Sequence, residues 1–152
     1  MTTWKLKLFS ELSTIELYEL IRLRVNVFVV EQNCPYPELD GKDSMPDVYH
    51  LLGYQGSELI ACARLIPQGI SYPSASIGRV ATKLSHRGGG LGHQLLTQAL
   101  TCIESLWPQS TIEIGAQAHL EHYYGRHGFV INSKEYLEDG IPHIDMLRTP
   151  SQ

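Results

Sequence analysis

Residues 87–93 read Arg87-Gly88-Gly89-Gly90-Leu91-Gly92-His93, four glycines and one cation at the head of an amphipathic segment. From Leu91 the apolar residues Leu95, Leu96, Ala99, Leu100, Ile103 and Leu106 recur at the spacing of one helical face, while Gln94, Gln98, Thr101 and Glu104 take the other. Ahead of the glycines, Ala75-Ser76-Ile77-Gly78-Arg79-Val80-Ala81-Thr82 reads as a strand. The stretch therefore predicts strand, glycine turn and helix. Free backbone N–H groups at such a helix N-terminus, aided by the helix dipole, face whatever occupies the turn, and glycine removes the Cβ that would hold an oxygen away. A phosphate fits this chemistry. Arg87 adds a charge-assisted donor suited to a pyrophosphate.

Spacing separates the known phosphate loops. A Walker loop needs Lys and then Ser or Thr after its last glycine, but His93 and Gln94 follow Gly92. A dinucleotide fingerprint starting at Gly88 would need glycine at 93, and one starting at Gly90 would need it at 95, where His and Leu stand. Arg/Gln-x-x-Gly-x-Gly/Ala is satisfied by Arg87, Gly90 and Gly92. That pattern resembles the pyrophosphate-binding motif of the GNAT family of acyl-CoA-dependent N-acetyltransferases. A glycine-rich turn with no ligand is the plainer alternative.

The chain has 152 residues with 43% hydrophobic composition, enough for one domain with a full core and too short for two ordinary ones, so a single domain over 1–152 is expected. A net charge of −4 argues against a nucleic-acid partner, which would need a clustered basic face. No apolar run reaches the roughly 20 residues of a membrane span and nothing resembles a signal peptide, so no membrane partner and a cytoplasmic location are expected. The three cysteines Cys34, Cys62 and Cys102 have no paired spacing, which suits a reducing compartment.

Trp4 to Phe9 alternates as an opening strand, and Ser13 or Thr14 can cap a helix running to about Val30. Between Glu31 and Asp47 lies a long loop with five carboxylates, Glu31, Glu38, Asp40, Asp43 and Asp47, against one cation, Lys42. If it lines a site, it favours a cationic amine; otherwise it is a solvated acidic connection. Val48 to Tyr54 and Glu58 to Ile66 form a hairpin through Gln55-Gly56-Ser57. After the central helix, closed by Trp107-Pro108, come a strand Thr111 to Ala116, a helix Gln117 to Arg126, a strand Phe129 to Ile131 and a last strand His143 to Arg148. The order predicts an α/β (mixed α+β) domain of three layers, a largely antiparallel mixed sheet with helices on both faces.

A second motif joins the first. Tyr123-Tyr124-Gly125-Arg126-His127-Gly128-Phe129 is similar to the GNAT signature in which Tyr lies four residues before a Gly-Phe pair, one helix and one strand beyond the glycine turn. Arg24 to Tyr36, Asp40 and Asp43, Ile77 to Thr82 and Gly140-Ile141-Pro142-His143 resemble the ElaA-like branch of that family, so the likeness covers nearly the whole chain. The resemblance implies a GNAT-like fold with acetyl-CoA as cosubstrate. It implies that backbone groups of Val80, Ala81 and Thr82 meet the pantetheine and the thioester carbonyl. It implies that Arg87, Gly88, Gly89, Gly90, Leu91, Gly92 and His93 hold the pyrophosphate, and that Tyr124 protonates the departing thiolate. Where the family often has Asn seven residues before that tyrosine, contacting the cofactor, this chain has the longer Gln117.

Other roles follow from residue chemistry. Tyr123 and Tyr124 are adjacent, so one helix face can bury only one of them, and Tyr123 is expected to be the packing residue. An amine arrives protonated and attack needs its lone pair, so a carboxylate or a water chain must take a proton. Glu31, at the start of the acidic loop, is a candidate for substrate contact, and Glu113, in a strand between Ile112 and Ile114, for a base acting through water; each is equally readable as a solvent-facing charge. His119 and His122 lie three apart without an evident third ligand, and no metal is expected. Nothing marks Cys34 or Cys62 as an activated nucleophile, so direct attack in a ternary complex is expected. Arg24, Arg64 and Arg79 are expected to pair with loop acids. The reading is an acetyl-CoA-dependent N-acetyltransferase acting on a small-molecule or peptide amine, with a homodimer left open. The alternatives are a non-catalytic acyl-CoA-binding module or sensor, and a structural domain that binds no CoA.

Overall fold

Of the single domain expected over the chain, the computed structural model describes residues 1–150. The polar–apolar alternation of Thr3–Leu8 gives strand β1, and a tight turn at Phe9–Glu11 leads to helix α1, Thr14–Val25. Ser13 caps α1 in a reciprocal box: its hydroxyl accepts from the Glu16 N–H at 3.1 Å, and the Glu16 carboxylate accepts from the Ser13 N–H at 2.8 Å. The helix does not end at Val25. Asn26–Glu31 continues it with wider π-type turns, and the left-handed Asn33 (φ 49°) turns the chain into the acidic loop.

Strands β2 (Tyr49–Gln55) and β3 (Glu58–Ile66) form the expected hairpin, followed by β4 (Ala75–Thr82) and α2 (Leu91–Leu106). Then come β5 (Ile112–Gln117), α3 (Glu121–Gly125), β6 (Val130–Ile131), β7 (Tyr136–Glu138) and β8 (Ile141–Arg148). The helix expected over Gln117 to Arg126 is shorter: Gln117 still belongs to β5, and Ala118–Leu120 is a 3-10 turn. Strand β7 was not expected.

The sheet order is β1-β2-β3-β4-β5-β8-β6, with β7 also paired to β8. Every pairing is antiparallel except β4 with β5. Because side chains alternate across a strand, Leu51 and Leu52 enter different cores. One core packs α2 and α3 residues such as Leu95, Ile103 and Tyr124 on one face of the sheet, and the other packs Leu20, Leu23 and Val27 of α1 and its extension on the opposite face. Three layers result.

Candidate functional site

The sheet opens where its one parallel pair fails. Strands β4 and β5 are paired only at Ala75 with Ile112 and Ser76 with Glu113, after which both continue unpaired with each other, to Thr82 and Gln117. A cleft of about 890 Å³ occupies this opening and spreads toward the acidic loop. On its β4 wall the register slips, so that Arg79 and Val80 both lie opposite Ala63, and Arg79 takes the left-handed region at φ 50°. This bulge turns the backbone at Val80 out of the ladder with β3.

Side chains of the loop hold that strained residue. Arg79 Nε donates to Glu38 Oε2 at 3.0 Å and its Nη2 to the Glu38 carbonyl at 2.9 Å, while its guanidinium lies over the Tyr36 ring. The same Glu38 Oε2 accepts from Arg24 Nε at 2.6 Å, and Arg24 also binds Asp43 at 2.7 Å; Arg64 binds Asp40 at 2.8 Å and Asp43 at 3.0 Å. Arg24 and Glu38 are almost wholly buried. Burial pushes the Asp40 and Asp43 carboxyls up, but hydrogen bonds and charge from Arg64 and Arg24 respectively outweigh it and hold both below the usual range. The three arginines therefore pair with loop acids as expected, and most of the loop's negative charge is neutralised internally.

At the far end of β4 the glycine turn is open. Gly90 caps α2 at φ 85°, a conformation that strains residues with a Cβ, and Cβ atoms built on Gly88, Gly89 or Gly90 would meet nothing within 4 Å. The first backbone bond of the helix is Gln94 N–H to the Gly90 carbonyl at 3.0 Å, so the N–H groups before it, from Gly88 to His93, are left to the space in front of the helix. Arg87 bends back beside this space. Its guanidinium donates to the Thr82 carbonyl at 2.7 Å and forms a two-pronged pair with Glu31 at 2.6 and 3.0 Å. The His93 side chain points away from the cleft, with Nδ1 2.8 Å from His127 Nε2, so only its backbone N–H serves the turn.

Tyr123 and Tyr124 do not divide as expected: Tyr124 is the more buried of the two and belongs to the core, Tyr123 is only partly buried, and both line the cleft. The Tyr123 hydroxyl donates to the Gly92 carbonyl and ties α3 to the first turn of α2. Tyr124 packs edge-on against Tyr123 and Phe129 and lines the cleft. Burial pushes its hydroxyl well above the ordinary phenol range, so it stays protonated. Cys62 is fully buried, its thiol pushed up to about 12 by burial, and it donates to the Arg79 carbonyl, which leaves no thiolate there.

Val80, Ala81, Thr82, Arg87, Gly92, Gln117, Tyr124 and Glu31 all line the same cleft. Gln117 Nε2 donates to Gln32 Oε1 at 3.1 Å. Glu113 is not brought into the lining: it sits at the closed end of the β4–β5 pair, where it accepts from the Ser74 hydroxyl at 2.9 Å. Sequence reasoning missed Asp145, Tyr72 and Tyr136, which line the other end of the cleft. A faint signal for them exists in Gly115, a glycine inside a strand, which marks a close approach by some other group. Among the described residues no three His, Cys, Asp or Glu side chains converge as metal ligands, and no helix is long and apolar enough to cross a membrane.

Comparison with known proteins gives a consistent picture. The family model for the acetyltransferase (GNAT) domain matches residues 29–149. Protein ElaA of Escherichia coli K12 is 43% identical over 97% of both chains. A crystal structure of an acyl-CoA N-acyltransferase from Pseudomonas aeruginosa is 46% identical and superimposes with a TM-score of 0.93 over 98% of this chain and 100% of the other. The crystal structure of Escherichia coli ElaA gives 0.92 at 42% identity, covering 97% of this chain and 99% of that one.

Proposed function

Because the chain belongs to the GNAT family of acyl-CoA-dependent acyltransferases, we propose that it carries an acetyl group from acetyl-CoA directly to a primary amine while both are bound. The observation that carries this reading is the run of undonated N–H groups from Gly88 to His93, opening beside the gap between β4 and β5. The fit to a pyrophosphate rests on those donors and on the empty space where Cβ atoms would stand.

In this reading the thioester supplies the activated acetyl group. Gly88 to His93 hold the pyrophosphate, with Arg87 joining once it leaves Glu31. Backbone groups at the Val80 bulge, released from the β3 ladder, polarise the carbonyl. The amine, having given up a proton, attacks the carbonyl carbon; the carbon–sulfur bond breaks, Tyr124 gives its proton to the sulfur, and the second proton shed by the nitrogen as the amide forms returns through water to the tyrosinate. The Tyr124 hydroxyl carries its proton at neutral pH, and its place in the cleft lining rather than its acidity supports this role. The buried Cys62 favours direct attack over an acyl-cysteine. Glu113 lies off the lining, so in this reading the amine's proton leaves through water in the cleft.

The test is thiol release from acetyl-CoA in the presence of a panel of primary amines. The enzyme reading expects amine-dependent release, slowed about a hundredfold in Tyr124→Phe with the acetyl-CoA dissociation constant little changed. Tight acetyl-CoA binding with no release by any amine would favour the non-catalytic acyl-CoA module instead. Unaltered turnover in Tyr124→Phe would remove that residue from the mechanism.

A further inference from the structure

The cleft holds a carboxylate without a counter-ion. Its other acids have partners: Glu31 has Arg87, Asp40 has Arg64 and Arg79, and Glu138 lies 3.4 Å from His143. The lining cation Lys42 is turned to the Ser71 hydroxyl at 2.9 Å and not to Asp145. Asp139 is exposed on a turn. Asp145 is different. It is half-buried in β8, lines the cleft, and has no Lys, Arg or His against it among the described residues. A charge withdrawn from water is normally paired, so a lone one in a cleft calls for a cation from outside.

Its surroundings fix the carboxylate and leave one side available. Tyr136 Oη donates to Asp145 Oδ1 at 2.6 Å and Tyr72 Oη to the same oxygen at 3.2 Å, which leaves Oδ2 without a protein partner. Oδ2 is not an enclosed orphan either, because the one buried side-chain N or O atom lacking a partner among the described residues is Arg64 Nε. Burial and the Asp145 charge push both tyrosine hydroxyls up, so they remain donors. Gly115, directly across the ladder, makes room for them: a Cβ there would stand 3.0 Å from Tyr72 Oη and 3.1 Å from Tyr136 Oη. A glycine inside a strand weakens it, and here it permits that approach.

Position decides which cation. Asp145 pairs with Gly115, so it lies one strand spacing, about 4.8 Å, beyond β5 as seen from β4. The reacting nitrogen belongs in the gap on the near side of β5. Gly115 stands two residues past the last β4–β5 pair and Val80 four, so Asp145 is also set back toward the closed end from the backbone at Val80. We propose that Asp145 binds a second cationic group of the acceptor, and that the substrate is a diamine-like compound whose two nitrogens are separated by a short flexible spacer. This rests on the acetyl-transfer reading above.

The probes are 1,4-diaminobutane and n-pentylamine, which have the same length and differ in one terminal ammonium replaced by methyl. Each is titrated calorimetrically into the CoA-loaded wild type and Asp145→Asn, with acetyl-CoA thermal shifts recorded for both proteins. The wild type is expected to prefer the diamine by about tenfold or more, and Asp145→Asn to lose most of that preference while keeping its acetyl-CoA shift. If the wild type does not distinguish the two amines, or the variant distinguishes them equally, the assignment is overturned. Asp145→Ser provides the same comparison should the Asn variant not fold. A wild type that shows no acetyl-CoA shift would instead sink the acetyl-transfer reading on which this one stands.

Discussion

Arg87 cannot give the same donors to Glu31 and to a pyrophosphate at once. Both side chains are about one-third exposed, and such a pair contributes only ~0.2–1 kcal/mol, so exchange for a doubly charged ligand is favourable. Glu31→Gln is therefore expected to tighten acetyl-CoA binding a few-fold by calorimetry, with turnover changed by less than about tenfold. If Glu31 were the base, turnover would fall by about a hundredfold or more and affinity would stay put. The residues of the turn were readable in the sequence because glycine spacing and helical periodicity are local. The partners of Arg87, Glu113 and His93 were not, because each lies on an element distant in sequence: Glu31 at the end of the π-type turns, Ser74 ahead of β4, and His127 after α3.

At the scale of elements, Glu38 ties the bulge of β4, through Arg79, to Arg24 of α1. That one carboxylate faces Arg24 and Arg79 in nearly dry surroundings. Glu38→Gln leaves two guanidinium groups short of a counter-charge and should cost about 3 kcal/mol in denaturant melts, at the low end for breaking a buried pair. A loss below about 1 kcal/mol would mean that water reaches the network and that the bulge is held otherwise. The long acidic loop was visible as composition and its pairing with arginines was expected, but which acid meets which arginine is set by tertiary packing that no local pattern reports. Its acids lie against three arginines from α1, β3 and β4. The hairpin, α2 and the succession of elements along the chain, β7 excepted, were legible from period and turn residues. Three-residue β7, with Leu137 exposed, carries too little alternation to announce itself, and the splay of a parallel pair has no sequence period at all.

For the whole molecule the acid side is the weak side. His50 is buried and its imidazole is held below the ordinary range by that burial, with Nε2 2.9 Å from the Asp43 carbonyl. His127 is lowered by burial and then by the charge of His93. Both are neutral in the fold, whereas the unfolded chain takes up protons near pH 6.5. Their contribution is thus full above about pH 6.5 and declines as the pH falls below it. Asp40 and Asp43, held low by arginines, keep theirs until the pH drops below about 4. Melts at pH 7.5 and 5.5 should show a stability decrease that His127→Gln reduces; an increase on acidification would contradict this assignment.

The claim beneath all the others is that the turn from Gly88 to His93 holds the pyrophosphate of acetyl-CoA. Gly90 is a poor place to test it, since its positive φ strains any side chain with or without ligand. Gly89 has no such φ, and its Cβ would enter the open space in front of α2. The measurement is thermal unfolding of the wild type and Gly89→Val, with and without acetyl-CoA. At a hundred times its dissociation constant the ligand should stabilise the wild type by about 2.7 kcal/mol, a shift of several degrees, and leave a folded Gly89→Val nearly unmoved. A wild type that does not shift at saturating acetyl-CoA, or a variant that shifts equally, would contradict the account.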